Sequence, residues 1–228
     1  MALPVSVGCP NGTNSGIQLD TYPDTCPVCH TSIHPLFLVA RALADLPFTT
    51  VDAAYQCTKE TCRSIIIARY RGTTASTAPF ALKSLAPKTA KKTAFSAEIT
   101  GVSPTFVEVY NQAMTAESVS LDQLVGMGLR KAIEFLVKDF AISQATTEAE
   151  KEQIRGKLLG RCIEDHIKDA AVRAAAKRAT WLGNDETHYI RRWEDQDITD
   201  LRNLVRLTVN AVENAILMRQ YETDMPGN

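Results

Sequence analysis

The stretch Ser103-Pro104-Thr105-Phe106-Val107-Glu108-Val109-Tyr110 decides how the second half of this 228-residue chain reads. Ser is a favoured N-cap and Pro suits the first helical position, so the pair is a start signal. Phe106, Val109, Tyr110 and Ala113 then share one face, which predicts a helix from Thr105 to Ala116. A longer helix is expected from about Glu117 to Phe140, because Leu121, Leu124, Val125, Leu129, Ala132, Ile133, Leu136 and Phe140 recur at three- and four-residue steps. Gly126 and Gly128 interrupt it at about 1 kcal/mol each relative to Ala, a loss that close approach of a neighbouring helix can offset.

Downstream, the polar break Ser143 to Glu150 precedes a third predicted helix over 151–168, with Ile154, Leu158, Leu159, Cys162, Ile163 and Ile167 facing inward. In that stripe Cys162 reads as a small buried hydrophobe rather than a nucleophile, and His166 lies beside it. An Ala-rich helix follows over 169–180, carrying Arg173, Lys177 and Arg178 with Lys168 just ahead of it. These cations form either a phosphate-facing ridge or a solvated face. The helix runs into Trp181-Leu182-Gly183-Asn184-Asp185-Glu186-Thr187-His188-Tyr189 and is expected to stop at Gly183-Asn184, where Gly tolerates the left-handed conformation. Asp185 reads as the N-cap of a short following turn. The last helix is capped by Asp197 with Asp200 behind it, and runs to about Tyr221. Asp195 and Asp197 sit in capping sequence and need no catalytic role.

Upstream, five of the six cysteines lie in the first 62 residues. Cys26-Pro-Val-Cys29 is followed by Cys57 and Cys62, the later pair set between a Val/Ala/Tyr segment and Ile65-Ile66-Ile67-Ala68-Arg69-Tyr70. That pattern reads as two short β-rich segments meeting at a cysteine-bearing turn. Four thiolates so gathered make a closed tetrahedral structural zinc site, which leaves no open position for catalysis. Cys9, His30 and His34 are spare ligands that could replace one member; the alternative is a set of buried free thiols. Residues 1–72 are thus expected to form a zinc-ribbon-like module, 73–102 a basic linker, 103–222 a helical bundle and 223–228 a flexible tail. The expected class is mainly α, with a small β-rich head.

Charge is uneven. Residues 1–62 carry 2 basic and 5 acidic side chains, 63–100 carry 7 and 1, and 101–228 carry 16 and 20. The middle excess, with Lys83, Lys88, Lys91 and Lys92, is either a footprint for nucleic acid or a solvated connection. No run of 18 apolar residues occurs and the first 16 residues lack a signal-peptide pattern, so a cytoplasmic chain is expected. No Gly-rich phosphate loop, Gly-x-Ser-x-Gly elbow or His-Glu-x-x-His pair is present. One constellation remains. Arg130 and Glu134 lie four apart on the polar strip of the long helix, and in a bundle that strip can pack against 183–189. Glu134 would then orient His188, the one side chain there that titrates near neutrality, while Asn184 supplies an amide. Capping bonds alone are the competing role for Asn184 and His188.

Ser103-Pro104-Thr-Phe-Val-Glu-Val-Tyr110, Gly128-Leu-Arg130-Lys131-Ala-Ile-Glu134 and Trp181-Leu-Gly183-Asn184-Asp-Glu-Thr-His188 together resemble an uncharacterised bacterial helical domain attached to restriction-type enzymes and grouped with the HEPN superfamily. The resemblance covers about residues 100–222. It implies a helical bundle, frequent dimerisation and a role in restriction or anti-phage defence. Active HEPN ribonucleases share an Arg followed after four to six residues by His. Here those slots before His188 hold Gly183, Leu182 and Trp181, with Arg178 too far upstream and Arg191 and Arg192 on the other side. A metal-free ribonuclease needs a proton-transfer group and a cation at the phosphate, and that motif supplies only the first. The expectation is therefore a non-catalytic module that binds nucleic acid or a partner. A ribonuclease rebuilt around His188, with Arg130, Glu134 and Asn184, is one alternative, and a purely protein-interacting homodimer is another.

Overall fold

The computed structural model describes residues 3–73, 78–186, 188–190 and 192–226. The chain is α/β rather than mainly α: 48% is helical, 19% is strand, and the strands make one six-stranded mixed sheet. It divides into two compact units, Met1–Lys91 and Lys92–Asn228.

The first unit holds β1 (Leu3–Gly8), β2 (Asn14–Leu19), β3 (Leu36–Ala42), β4 (Thr50–Gln56), β5 (Ile65–Arg71) and β6 (Ala81–Ala86), ordered β2-β1-β3-β4-β5-β6. Every pairing is antiparallel except β1 with β3. The β4–β5 hairpin is the one anticipated, and its alternation is strict: Val51, Ala53 and Tyr55 face Ile66, Ala68 and Tyr70 in the core, with polar or half-exposed residues between. The ribbon expected over residues 1–72 is a larger object. Phe80, just before β6, donates its N–H to Gln18 (2.7 Å) and accepts from Asp20 (3.0 Å), bridging Leu19 of β2. Leu82 N–H adds a bond to the Asp20 carboxylate at 3.0 Å. The end of β2 and the residue just before β6 therefore meet at a single bridge, which draws the two edges of the sheet together at that point. Alanines at 40, 42, 53 and 68 keep the buried face of the sheet closely packed. Inside, the Tyr70 hydroxyl donates to the Thr21 carbonyl at 2.9 Å, so the Tyr55 hydroxyl, 3.0 Å away, donates to Tyr70.

The supposed linker over 73–102 is thereby divided. Residues 78–91 belong to the sheet unit and 92–102 to the helical one, while 74–77 lie outside the described residues. The last part of that stretch is not a linker but helix α1 (Ala97–Val102), capped by the Ser96 hydroxyl on Ile99 N–H.

The helical unit continues with α2 (Pro104–Ser118), α3 (Asp122–Gln144), α4 (Glu148–Gly156), α5 (Leu159–His166), α6 (Ala170–Asp185) and α7 (Ile198–Asp224). Its core gathers Phe106, Leu129, Ile133, Leu136, Ile163 and Val205, all fully buried. Pro104 opens α2 as expected, but Ser103 does not cap it. Its buried hydroxyl donates to Asp139 of α3 at 2.5 Å. The single helix expected over 151–168 is two, because Lys157 and Leu158 are extended, and Leu158 is turned out to 80% exposure instead of facing inward. Asp197 and Asp200 form the capping box of α7 as read. Gly183 does not end its helix. It lies buried inside α6 at ordinary helical backbone, and a Cβ there would stand 3.0 Å from Arg130 Cδ of α3, so the missing side chain serves close approach. Gly128 does the same between α3 and α2, with Ala113 Cβ 2.8 Å from its absent Cβ position. Among the described residues no helix is long and apolar enough to cross a membrane.

Candidate metal centre and a groove on the helical unit

Two tight turns bring the thiols together. In the first, Val28 N–H points at Cys26 Sγ (3.4 Å) and His30 N–H bonds the Cys26 carbonyl (2.8 Å), with His30 at φ 53°. In the second, at the β4–β5 hairpin, Cys62 and Arg63 N–H both bond the Lys59 carbonyl, at 2.9 and 3.1 Å, with Arg63 at φ 48°. The sulfurs of Cys26, Cys29, Cys57 and Cys62 all lie within 4.8 Å of one another, and Cys26–Cys62 and Cys29–Cys57 are each 3.9 Å apart. Four sulfurs at about 2.3 Å around a tetrahedral ion stand about 3.8 Å apart. The set therefore fits a metal ion. The Thr31 backbone amide draws the Cys29 thiol down to about 6, whereas burial pushes Cys57 up to about 12. A divalent cation is what allows all four to ionise together.

The spare ligands are elsewhere. Cys9 is buried in the core of the sheet unit, His34 Nδ1 is 2.8 Å from the Tyr22 hydroxyl, and His30 Nε2 is 3.2 Å from Thr89 Oγ1. Cys162 is fully buried in the helical core, where burial pushes its thiol up, as a packing residue should be.

In the helical unit Arg130, Glu134 and Asn184 come together. Arg130 donates Nε–H to Asn184 Oδ1 (2.7 Å) and an Nη1 hydrogen to Glu134 (3.5 Å). Glu134 also faces Lys138 (3.1 Å) and Lys131 (3.9 Å). Burial pushes the Glu134 carboxyl up, but the bond to Lys138 and the charges of Lys131, Lys138 and Arg130 outweigh it and hold the group below its ordinary value.

His188 does not join this cluster. It is exposed on the loop beyond α6, its own N–H on the Asp185 carbonyl at 3.3 Å, and among the described residues its ring has no hydrogen-bond partner. The loop is organised by Asp185, whose buried carboxylate accepts from the N–H groups of Arg192 (2.8 and 2.9 Å) and Trp193 (2.7 Å). Asp185 is thus no N-cap of a following turn, and Thr187 and Arg191 lie outside the described residues.

Two depressions adjoin on this face. One, of about 540 Å³, is bordered by Arg130, Arg161, Glu164, Lys177, Trp181 and Asn184; the other, of about 680 Å³, by Trp181, Asn184, Asp185, His188, Arg192 and Trp193. Trp181 and Asn184 border both, so the two lie side by side as a grooved surface. Trp181 and Trp193 are about half exposed, at 49% and 47%, although indole normally buries most of its surface. Glu164 pairs with both Lys177 (3.2 Å) and Arg161 (3.4 Å).

The expected basic ridge on α6 is dispersed. Arg173 bonds the Ile167 carbonyl at the end of α5 (2.8 and 2.5 Å), Arg178 bonds the Ala174 carbonyl (2.9 Å), Lys168 is exposed ahead of the helix, and Lys177 alone borders the groove. Lys83, Lys88, Lys91 and Lys92 are exposed on the other stretch. Trp181, Arg161 and Arg192 were not anticipated as site residues. A tryptophan at the end of an otherwise Ala-rich stretch was the available signal. No family model, curated protein or solved structure matches the chain.

Proposed function

We propose that this chain is a non-catalytic nucleic-acid-binding module, with zinc held by Cys26, Cys29, Cys57 and Cys62 and the nucleic acid lying in the groove of the helical unit. The bacterial-defence setting rests on the family resemblance. One observation carries the binding reading: two half-exposed indoles, Trp181 and Trp193, border adjoining depressions together with Arg130, Arg161, Lys177 and Arg192. Cations neutralise phosphates, and exposed aromatic faces stack bases at about 1–3 kcal/mol each. The groove acids do not cancel this. Asp185 is spent on backbone amides, and Glu164 is the carboxylate a phosphate would displace. Zinc is favoured because a closed set of four thiolates suits its tetrahedral preference.

Binding without cleavage is supported by the state of Arg130, whose guanidinium is committed to Asn184 and Glu134. Anisotropy of a labelled single-stranded oligonucleotide tests the reading. Exchange of Arg161 and Lys177 for Glu should weaken binding at least about ten-fold, and unaltered affinity would count against the groove.

A second reading has its own support. His188 and Arg192 border the same depression, a proton-transfer group beside a cation, which is the minimum for metal-free phosphodiester cleavage. A ribonuclease rebuilt around His188 would lose its activity on labelled RNA with either His188→Ala or Arg192→Ala. Intact RNA after prolonged incubation with the wild-type chain would leave the binding module standing.

A further inference from the structure

Residues 87–91 run without helix or strand between β6 and the end of the sheet unit. Among the described residues, their hydrogen bonds are those of Thr89. The Thr89 hydroxyl donates to the Pro27 carbonyl and lies 3.2 Å from His30 Nε2. A hydroxyl has one hydrogen, here used on the carbonyl, so the ring must donate and His30 carries its proton on Nε2. Both partners belong to the first cysteine turn. Pro27 lies between Cys26 and Cys29, and His30 closes the turn through its N–H on the Cys26 carbonyl at 2.8 Å. Lys59 of the second turn reaches Thr31 Oγ1 at 3.2 Å, so the two turns brace each other around the sulfurs. Thr89 and Ala90 are half-buried, whereas Lys88, Lys91 and Lys92 are exposed.

We infer that Pro87–Lys91 is a strap whose position is set by the metal ion. The inference rests on the zinc reading of the four cysteines. With the ion bound, Cys26 and Cys29 are fixed, so Pro27 and His30 stay where Thr89 can hold both. When the ion leaves, the first turn loses the bonds that define it, Thr89 loses its partners, and the lysine-bearing segment between the two units is freed. The centre would then do more than brace a hairpin: its occupancy decides how accessible the chain is at Lys88 and Lys91.

Limited trypsin digestion of the zinc-loaded full chain tests this, with cleavage after Lys88 and Lys91 followed by mass spectrometry and Lys59 and Arg69 as internal references. Thr89→Val keeps the side-chain shape and removes the hydroxyl. It should speed cleavage after Lys88 and Lys91 about five- to ten-fold, the change in open population expected from one lost anchor. Zinc content and cleavage at the references should stay as in the wild type. Chelation should bring the wild type to at least the variant's rate at Lys88 and narrow the difference between the two. Equal rates at Lys88 in zinc-loaded wild type and variant would overturn the strap while leaving the zinc reading intact. A chain that binds no zinc would overturn both. A wild-type rate at Lys88 that chelation leaves unchanged would overturn metal control of the strap.

Discussion

At Asp185 one carboxylate ties the end of α6 to the backbone of Arg192 and Trp193. It is 5% exposed and bonds three times to backbone amides seven and eight residues ahead. Bonds to an ionised buried acceptor contribute more than neutral ones, so Asp185→Ala should cost about 2–4 kcal/mol in chemical denaturation. Asp185→Asn should recover only part, since one of its two terminal atoms is a donor facing donors. Glu134 carries a pH dependence. Its pKa lies below the ordinary 4.5, so its contribution is present above that pH and disappears as pH falls through the lowered value. Glu134→Gln should therefore cost roughly 0.5–1 kcal/mol at pH 7 and progressively less below about pH 4. A difference that grew in acid would contradict the assigned direction. Helical spacing made the Arg130–Glu134 pair legible, whereas Asn184 joins them from within α6 and not from the helix end expected there. Asp185 was not legible. N-cap spacing is two or three residues, and nothing local announces partners at seven and eight.

At the scale of elements, periodicity found most helices but not the break that divides 151–168 in two, and one glycine was misread when treated as local. Gly183 looked like a helix end and is a contact between α6 and α3. Gly128 faces the Cβ of Ala113, which is fixed to its own backbone and cannot swing away. Gly128→Ala should thus destabilise the helical unit by about 1–3 kcal/mol despite better helix propensity. Gly160→Ala is its control: nothing lies within 4 Å of the added Cβ, and α5 should gain up to about 1 kcal/mol. Thermal melts that moved both variants the same way would refute the packing assignment. Among strands, β4 and β5 were legible because β-branched and aromatic residues alternate strictly there. Ala81-Leu82-Lys83-Ser84-Leu85-Ala86 was not, since its leucines stand three apart, as on a helix, and it contains no β-branched residue. Antiparallel pairing with β5 makes it a strand.

For the whole molecule, such long-range pairing explains the error in class, since β1 pairs with β3 and Phe80 with Leu19. The bond from Leu82 to Asp20 spans 62 residues, and no periodicity within a short window reports it. The cysteine spacing was a stronger signal, because ligand chemistry carries information that packing does not. Elemental analysis should find one zinc per chain, and Cys57→Ser should lower the stability of the sheet unit while the helical unit, which has its own core, melts as before. The proposed function puts nucleic acid in the groove around Trp181. Its most direct test is the affinity for a labelled single strand against salt concentration. Each neutralised phosphate contributes a slope of about −0.7 on logarithmic axes. The wild-type chain should give a slope of about −2 to −3, for three or four phosphates. Exchanging Arg161 and Lys177 for Gln should flatten it by about 1.4, while exchanging Lys88, Lys91 and Lys92 for Gln should leave it unchanged. A slope that ignores the groove pair and follows the three lysines would place the nucleic acid elsewhere and contradict the account.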